Sequence, residues 1–291
     1  MVAASSFRAE TSLSSSRIRI LALSLFALSA FSTAQTKGTV SFGGLKNLEL
    51  VNEFYDGGMG SLGSGPGPNY GLQFTATAQA IVSASQGGSG NFVNNPGRYP
   101  VMFFQTGQNV TVTATSGIET ALWFYYSAIQ PGAATVYSGA NGTGTILASV
   151  MLTPNNSGCT TYKLCVWTPV GVPLSAPAGS IVFSGTADYL AIGTIHMGFP
   201  LPTAMSLASS LNPSVQGEPV TFTATVSATG TAPVGSVTFR ANGKVIGVVP
   251  VVSGVASITV SSLKTGSVNI TAQFAGAGFT TIAKSLSQVV N

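Results

Sequence analysis

The chain has 291 residues, of which 6% are charged, 45% are hydrophobic and 35 are glycines. A chain of this length is expected to form about two domains, and so few charges among many small polar residues are typical of extracellular β proteins. The formal net charge is +4, and the cations are scattered along the chain. A nucleic-acid partner is therefore not expected.

The first 34 residues have the pattern of a secretory signal peptide. Arg8, Arg17 and Arg19 precede a short apolar run at 20–31, and small residues lead up to Ala34. A basic segment, an apolar segment and small residues before a cleavage site are the parts of such a peptide. The run is too short for a comfortable membrane span. We therefore expect cleavage after Ala34, a mature chain with no membrane span, and a location outside the cell or at its surface.

Residues 39–197 consist of short alternating segments separated by Gly, Pro, Asn and Ser. The candidate strands are 39–42, 71–78, 101–104, 110–114, 121–126, 134–137, 146–152, 179–184 and 189–197. Alternation places one set of side chains in a core and the other in water. We predict an all-β fold here, with a jelly-roll-like β-sandwich over residues 35–199.

Three carboxylates lie close together in sequence, before a Gly-, Ser- and Pro-rich segment at 57–69. They are Glu49, Glu53 and Asp56. A glycosidase needs two opposed carboxylates, and a hydrolase hypothesis would assign that role to Glu53 and Asp56. Because charged residues are mostly exposed, the favoured interpretation is a turn with solvated carboxylates followed by a flexible surface loop. We predict no catalytic residue and no enzyme activity.

An aromatic run at 123–126 lies in one of the candidate strands. Trp123 and Tyr125 should point to one side of the strand, and Phe124 and Tyr126 to the other. One pair is expected in the core. The other would be either covered, which is the commoner arrangement for aromatic side chains, or a platform on which a sugar ring stacks. Trp123 and Tyr125 are the candidate ligand-binding residues.

Cys159 and Cys165 are the only two cysteines. In an exported chain, two cysteines this close together predict a local disulfide. A metal site would need further ligands, and neither a histidine nor another cysteine is nearby in the sequence. We predict a disulfide of modest stabilising effect, because closing a short loop removes little entropy. No metal ion and no cofactor is predicted.

The only histidine, His196, falls in the candidate strand 189–197. At period two it shares a face with Ile192, which would leave it partly buried or at a sheet edge. No Ser or Cys nucleophile motif accompanies it, so a catalytic triad is not predicted.

Prolines at 200 and 202 predict a linker at 200–203, and further short alternating strands follow over 204–291. Strands at this spacing predict a second β-sandwich. The segments 212–215, 217–226, 233–239 and 270–274 closely resemble the bacterial Ig-like repeats of large surface and exported proteins. This resemblance implies a seven-stranded Ig-like sandwich without the disulfide of antibody domains. Family members commonly carry Tyr-x-Gly-Asp near the final hairpin, where this chain has Phe-Ala-Gly-Ala at 274–277, so ion binding there is not expected.

The segments 51–58, 69–74, 87–92 and 136–144 are similar to a β-sandwich module of exported bacterial proteins of the PEP-CTERM type. Carboxylates in the first and last strands of such modules would suit a structural calcium ion. This chain lacks them at 42–45 and 192–195, so no calcium is expected. The sorting motif of that group is missing as well, which argues against its anchoring route.

Three functional hypotheses follow. The leading one is a non-enzymatic exported bacterial protein with a structural or adhesive role, in which the Ig-like sandwich is a spacer or presenting module. The second is a carbohydrate-binding protein that uses the N-terminal sandwich. The third is a glycan-active hydrolase. The partner is unknown, with a surface polysaccharide or another surface protein as the candidates.

Overall fold

The computed structural model describes residues 36–98 and 100–291, and the predicted signal peptide lies outside the described residues. Within this part of the chain, nineteen strands form four sheets, and all registered strand pairs are antiparallel. Two short 3-10 turns occur at Ala84–Gln86 and Ala140–Gly142. The all-β prediction is confirmed. No helix of the described residues is long and apolar enough to cross a membrane.

Twelve strands lie between residues 38 and 197. They are β1 (Gly38–Val40), β2 (Glu49–Leu50), β3 (Leu72–Phe74), β4 (Gln79–Ile81), β5 (Val101–Phe103), β6 (Asn109–Ile118), β7 (Ala121–Ala128), β8 (Gly132–Tyr137), β9 (Ile146–Leu152), β10 (Thr168–Pro173), β11 (Ala178–Ser184) and β12 (Leu190–Met197). The first sheet has the order β10-β7-β12-β5-β4-β2, with β1 also paired to β12, and the second has the order β3-β6-β11-β8-β9. Most connections cross from one sheet to the other, as in the jelly-roll-like sandwich that was predicted.

The core of this sandwich follows from the alternation of its strands. In β7, Leu122, Phe124 and Tyr126 are buried, while the residues between Leu122 and Tyr126 on the opposite face are only half-buried. The ring of Phe124 packs edge-on against Phe183 of β11, with 5.0 Å between the ring centroids. The inward-facing pair of the aromatic run is therefore Phe124 and Tyr126.

Seven more strands lie between residues 203 and 290. They are β13 (Thr203–Ser209), β14 (Val220–Ala228), β15 (Ser236–Ala241), β16 (Lys244–Pro250), β17 (Val255–Val260), β18 (Gly266–Ala275) and β19 (Ile282–Val290). They form a three-stranded sheet, β13-β14-β17, and a four-stranded sheet, β16-β15-β18-β19. Phe222, Phe239 and Phe274 are fully buried in their common core. The seven strands are those that the resemblance implied.

The connection between the two sets of strands is packed against its neighbours. Leu201 is fully buried; its N–H donates to the carbonyl of Gly278 at 2.8 Å, and its carbonyl accepts from the N–H of Thr280 at 3.0 Å. Ala121 of β7 and Phe279 belong to the same hydrophobic cluster as Leu201. Residues 35–199 and 204–291, with the linker at 200–203, remain our proposed division into domains.

Three strands of the first sheet were not predicted. Strands β2 and β4 contain two and three residues, which is too short to display a period. Strand β10 carries Pro169 and Pro173, which argue against a strand in the middle of a sheet. It lies at the edge of its sheet, where a proline does not interrupt a hydrogen-bonded ladder on both sides.

Candidate functional site on the outer face of the seven-stranded sheet

The outward-facing aromatic side chains of β7 are Trp123 and Tyr125. Both are half-buried, and their ring centroids lie 6.0 Å apart at an interplanar angle of 74°. The strand register places Trp123 between Gly171 of β10 and His196 of β12, and places Tyr125 opposite Pro169. Two aromatic rings therefore lie side by side on the outer face, next to residues with small or rigid side chains.

His196 lies on the outer face as well, which corrects the prediction that it shares a face with Ile192. The pairing of β12 with β7 shifts register between Ile192 and Ile195, and both isoleucines are buried in the core. This irregularity changes which later residues face outwards. The imidazole stacks on Trp123 with 3.6 Å between centroids and 11° between planes, and its Nδ1 lies 3.1 Å from Oγ1 of Thr39. Burial lowers the pKa of His196, which favours a neutral ring.

Tyr125 has a different neighbourhood, centred on Gly193. A Cβ atom placed on Gly193 would lie 3.4 Å from Cβ of Tyr125 and 3.5 Å from the indole of Trp167. The Trp167 indole N–H donates to the carbonyl of Val93 at 2.9 Å, which fixes its orientation. Tyr125 and Trp167 therefore flank a glycine on the outer face.

These contacts bear on the predicted ligand role of Trp123 and Tyr125. One face of the Trp123 indole is occupied by His196, and the same side chain packs against the hydrophobic cluster that contains Leu201. Sequence reasoning did not find the stack, because it assumed an unbroken period of two in β12. The signal that could have found it is the change of apolar parity around Gly193, from Leu190 and Ile192 to Ile195 and Met197. The ligand role of the two residues stays a prediction.

Glu49 is fully buried, so the prediction of a solvated carboxylate is wrong for this residue. Its Oε1 accepts from the N–H groups of Leu62 at 2.9 Å and Ser64 at 3.0 Å. Its Oε2 accepts from the N–H of Lys46 at 2.7 Å and the hydroxyl of Ser64 at 2.5 Å. Burial by itself raises the pKa of Glu49, but the hydrogen bonds outweigh it and the net direction is downwards. An ionised carboxylate thus ties down the glycine-rich segment 57–69, which was predicted to be flexible.

The other two carboxylates of the sequence cluster have different environments. Glu53 is exposed, and Oδ2 of Asp56 accepts from the amide of Gln73 at 3.0 Å. No group of three or more His, Cys, Asp or Glu side chains in the described part of the chain is placed to hold a metal ion. The contacts of this region therefore give no support to the hydrolase hypothesis, which needs two opposed carboxylates.

The predicted disulfide is confirmed. Cys159 and Cys165 are joined, with 5.6 Å between their Cα atoms. The loop that they close is hydrogen-bonded to a second loop, since the Val93 N–H donates to the Leu164 carbonyl at 3.0 Å and the Leu164 N–H donates to the Asn91 carbonyl at 3.2 Å. Both loops cover part of the outer face, where their apolar side chains form a small separate cluster with the sheet.

Comparison with known proteins supports the Ig-like assignment. Residues 207–291 match the family model of the bacterial Ig-like domain (group 3), as the sequence resemblance predicted. No curated protein gives a significant match to the chain.

Several solved structures resemble parts of the chain at low similarity. A family 6 carbohydrate-binding module is 14% identical with a TM-score of 0.28, over 43% of this chain and 85% of its own. The fibronectin(III)-like modules of Clostridium thermocellum CbhA are 14% identical with a TM-score of 0.28, over 62% and 84%. The module CBM6cm-2 of Cellvibrio mixtus lichenase 5A, solved with cellotriose, is 14% identical with a TM-score of 0.27, over 43% and 88%. TM-scores this low carry no argument about what the chain binds.

Proposed function

We propose that the protein is an exported, non-enzymatic bacterial protein of the cell surface or exterior, whose Ig-like sandwich holds the N-terminal sandwich in a fixed orientation. The observation that carries the proposal is the burial of Leu201 between the two sets of strands. The match of residues 207–291 to a bacterial Ig-like domain supports the spacer role. The Cys159–Cys165 disulfide is consistent with an oxidising compartment.

Close backbone contacts at the junction support a fixed orientation. The N–H of Gly171 in β10 donates to the carbonyl of Gly230 at 3.1 Å. A Cβ atom on Gly230 would lie 2.5 Å from the Gly171 nitrogen, and one on Gly278 would lie 2.8 Å from Cβ of Pro173. Neither glycine has room for a side chain. Domains joined only by an extended linker would be expected to move relative to each other, whereas these contacts restrain such motion.

The orientation is tested with a distance measurement between spin labels on Met151 and Val248, both of which are exposed. A fixed arrangement predicts a narrow distance distribution. Gly230→Ala should broaden it, because the new methyl group collides with the backbone of β10. The matched control is Gly217→Ala, since Gly217 also has a positive φ, of 87°, but has nothing within 4 Å of the added atom. A broad distribution in the unaltered protein would refute the proposal.

Carbohydrate binding is the second candidate function, and the exposed side of the Trp123–Tyr125 pair favours it. Aromatic rings on an outer sheet face offer an apolar surface to the C–H groups of a sugar. Tyr125→Ala is the sharper change, because Trp123 also contacts His196 and the junction. Loss of glycan-array binding in Tyr125→Ala would support this site. Unchanged binding would rule out the Trp123–Tyr125 pair as the binding site.

The non-enzymatic part of the proposal has its own test. Purified protein should release no product from bacterial or plant polysaccharides. If activity were found, the double change Glu53→Gln with Asp56→Asn would decide whether the hydrolase hypothesis has the right residues. Activity that survives it would eliminate that assignment.

A further inference from the structure

A cavity of about 360 Å³ lies on the outer face of the seven-stranded sheet. Its floor is apolar and includes Phe103 of β5, Ala191 of β12 and Ile129, which directly follows β7. Phe103 and Ala191 are buried, and Ile129 is half-buried. The volume falls at the lower end of the range for small-molecule sites, which are typically apolar with a few placed polar groups.

Polar side chains line the rim of the same cavity. Asn91, Gln105, Lys163 and Asp188 are all exposed. Oδ1 of Asn91 accepts from the backbone N–H of Lys163 at 2.8 Å, so one wall is tied to the other. In the described ranges 36–98 and 100–291, no hydrogen bond or ion pair engages the side chains of Gln105, Lys163 or Asp188. These three groups are therefore free to meet a ligand.

The wall of the cavity is held in place by the disulfide loop. Lys163 and Leu164 lie between Cys159 and Cys165, and Leu164 forms a parallel bridge with Phe92 of the facing loop. The buried ring of Phe92 packs edge-on against the indole of Trp167, with 6.0 Å between the ring centroids. A wall that is already ordered spares a ligand the entropy of ordering it. The disulfide is thus placed where it would pre-form a binding site.

We propose that this cavity binds a neutral sugar residue. A pyranose ring has apolar C–H faces, which suit the floor, and hydroxyl groups at its edge, which both donate and accept hydrogen bonds. The amides of Asn91 and Gln105 likewise donate and accept, the Lys163 ammonium only donates and the Asp188 carboxylate only accepts. The rim carries one charge of each sign, and exposed charges contribute little to ion pairing, so neither an anion nor a zwitterion gains much here.

A sugar in this cavity belongs to the same ligand class as in the carbohydrate-binding candidate above, but it binds at a different site. Ile129 lies six residues beyond Trp123, which is about 20 Å along an extended strand. Tyr125 is nearer, four residues before Ile129 or about 13 Å along the strand, and neither Trp123 nor Tyr125 lines the cavity.

The test is an NMR titration of the purified protein with neutral methyl glycosides of glucose, galactose, mannose, xylose and N-acetylglucosamine. We expect amide shifts in segments 89–91, 103–105 and 188–191. Gln105→Ala and Asp188→Gly should each weaken binding about tenfold, the equivalent of one good hydrogen bond. Glycine suits position 188 because Asp188 has a φ of 64°. The matched control is Gln108→Ala, since Gln108 is also exposed but does not line the cavity.

Each outcome decides between the alternatives. Binding lost in Gln105→Ala and Asp188→Gly but kept in Tyr125→Ala supports the cavity. Binding kept in the two rim variants but lost in Tyr125→Ala overturns the cavity proposal in favour of the aromatic pair. Tighter binding of glucuronic acid or of glycine than of the methyl glycosides overturns the ligand class. No binding of any neutral glycoside overturns both carbohydrate proposals and leaves the spin-label test of the presenting role unaffected. Unchanged thermal unfolding of the rim variants verifies that they fold.

Discussion

Replacement of the buried Glu49 by glutamine should destabilise the N-terminal sandwich. The carboxylate accepts four hydrogen bonds, and an amide of the same shape has only one acceptor oxygen. If the new NH₂ group takes the place of Oε1, the N–H groups of Leu62 and Ser64 both lose their acceptor. If it takes the place of Oε2, the Ser64 hydroxyl can rotate and accept, but the N–H of Lys46 cannot. At least one backbone donor is therefore left without a partner.

The size of the effect follows from these bonds. Leaving a buried donor unsatisfied costs about 1–3 kcal/mol, and each hydrogen bond to a charged group contributes about 1.5–3 kcal/mol. We expect Glu49→Gln to lower the free energy of unfolding by about 2–4 kcal/mol in total. For a chain of this size that corresponds to a melting temperature lower by roughly 3–7 °C.

The same carboxylate should make stability depend on pH. The folded pKa of Glu49 is lowered, so its stabilising effect is complete above the pKa of the unfolded glutamate, about 4.3. That effect is lost as pH falls from there through the lower, folded pKa. Thermal unfolding of Glu49→Gln and unaltered protein should thus differ by a constant amount from pH 5 to neutrality, and the difference should shrink below about pH 4. Hydrogen exchange at Leu62 and Ser64 reports the same change locally.

Glu53→Gln is the matched control, because Glu53 is exposed and its change should stay within about 0.5 kcal/mol. Equal melting temperatures for Glu49→Gln and the unaltered protein would refute the reasoning, since the donors around Glu49 would then have other acceptors. A difference that persists undiminished well below pH 4 would show that ionisation is not its source.

Three further changes test other parts of the molecule. Replacing Cys159 and Cys165 together by serine should lower the free energy of unfolding by about 2 kcal/mol, because the closed loop is short. The same change should weaken glycoside binding at the cavity. Undiminished binding would show that the disulfide is not needed to hold the cavity wall. His196→Phe keeps a ring on Trp123 but cannot titrate. As the folded pKa of His196 is lowered, the unaltered protein should lose stability as pH falls below about 6.5, and the variant should not show this loss. Phe124→Ala should cost about 3–5 kcal/mol in the core, and a cost below 1 kcal/mol would contradict its burial.

Strand alternation accounts for most of what the sequence predicts correctly. The four aromatic residues of β7 divide between core and outer face as their parity requires, with Phe124 and Tyr126 inside. The Ig-like strands follow the same rule, and their side chains supply a core without any cysteine. Alternation gives the wrong face for His196, because the register shift in β12 reverses the side of the sheet on which later residues lie. Gly193 lies within the shifted segment, and an isolated glycine inside a strand often marks such an irregularity, but the prediction for His196 assumed an unbroken period of two.

The candidate sites were harder to predict than the strands. Glu49 was expected in water because charged residues usually lie there, and its burial depends on donors supplied by Leu62 and Ser64 from a later segment. The cavity rim is assembled from side chains far apart in sequence, including Gln105 and Asp188. Single-sequence patterns describe local conformation, so contacts of this kind leave no signal in them.

The two ends of one sheet face thus have different roles in our proposals, and the direction of the strands explains why they can be separate. Strand β7 begins with Ala121 and Trp123, which contact the cluster shared with the Ig-like strands, and the residue after its end, Ile129, lines the cavity. Strand β12 runs antiparallel to β7, so Ala191 at its start also lines the cavity. Ala191 pairs with Ser127, four residues beyond Trp123, and Ile129 lies six residues beyond it, so a sugar bound there would lie about 13–20 Å from the junction. A spacer attached at the first end leaves the second end open, which is the arrangement that a presenting module requires.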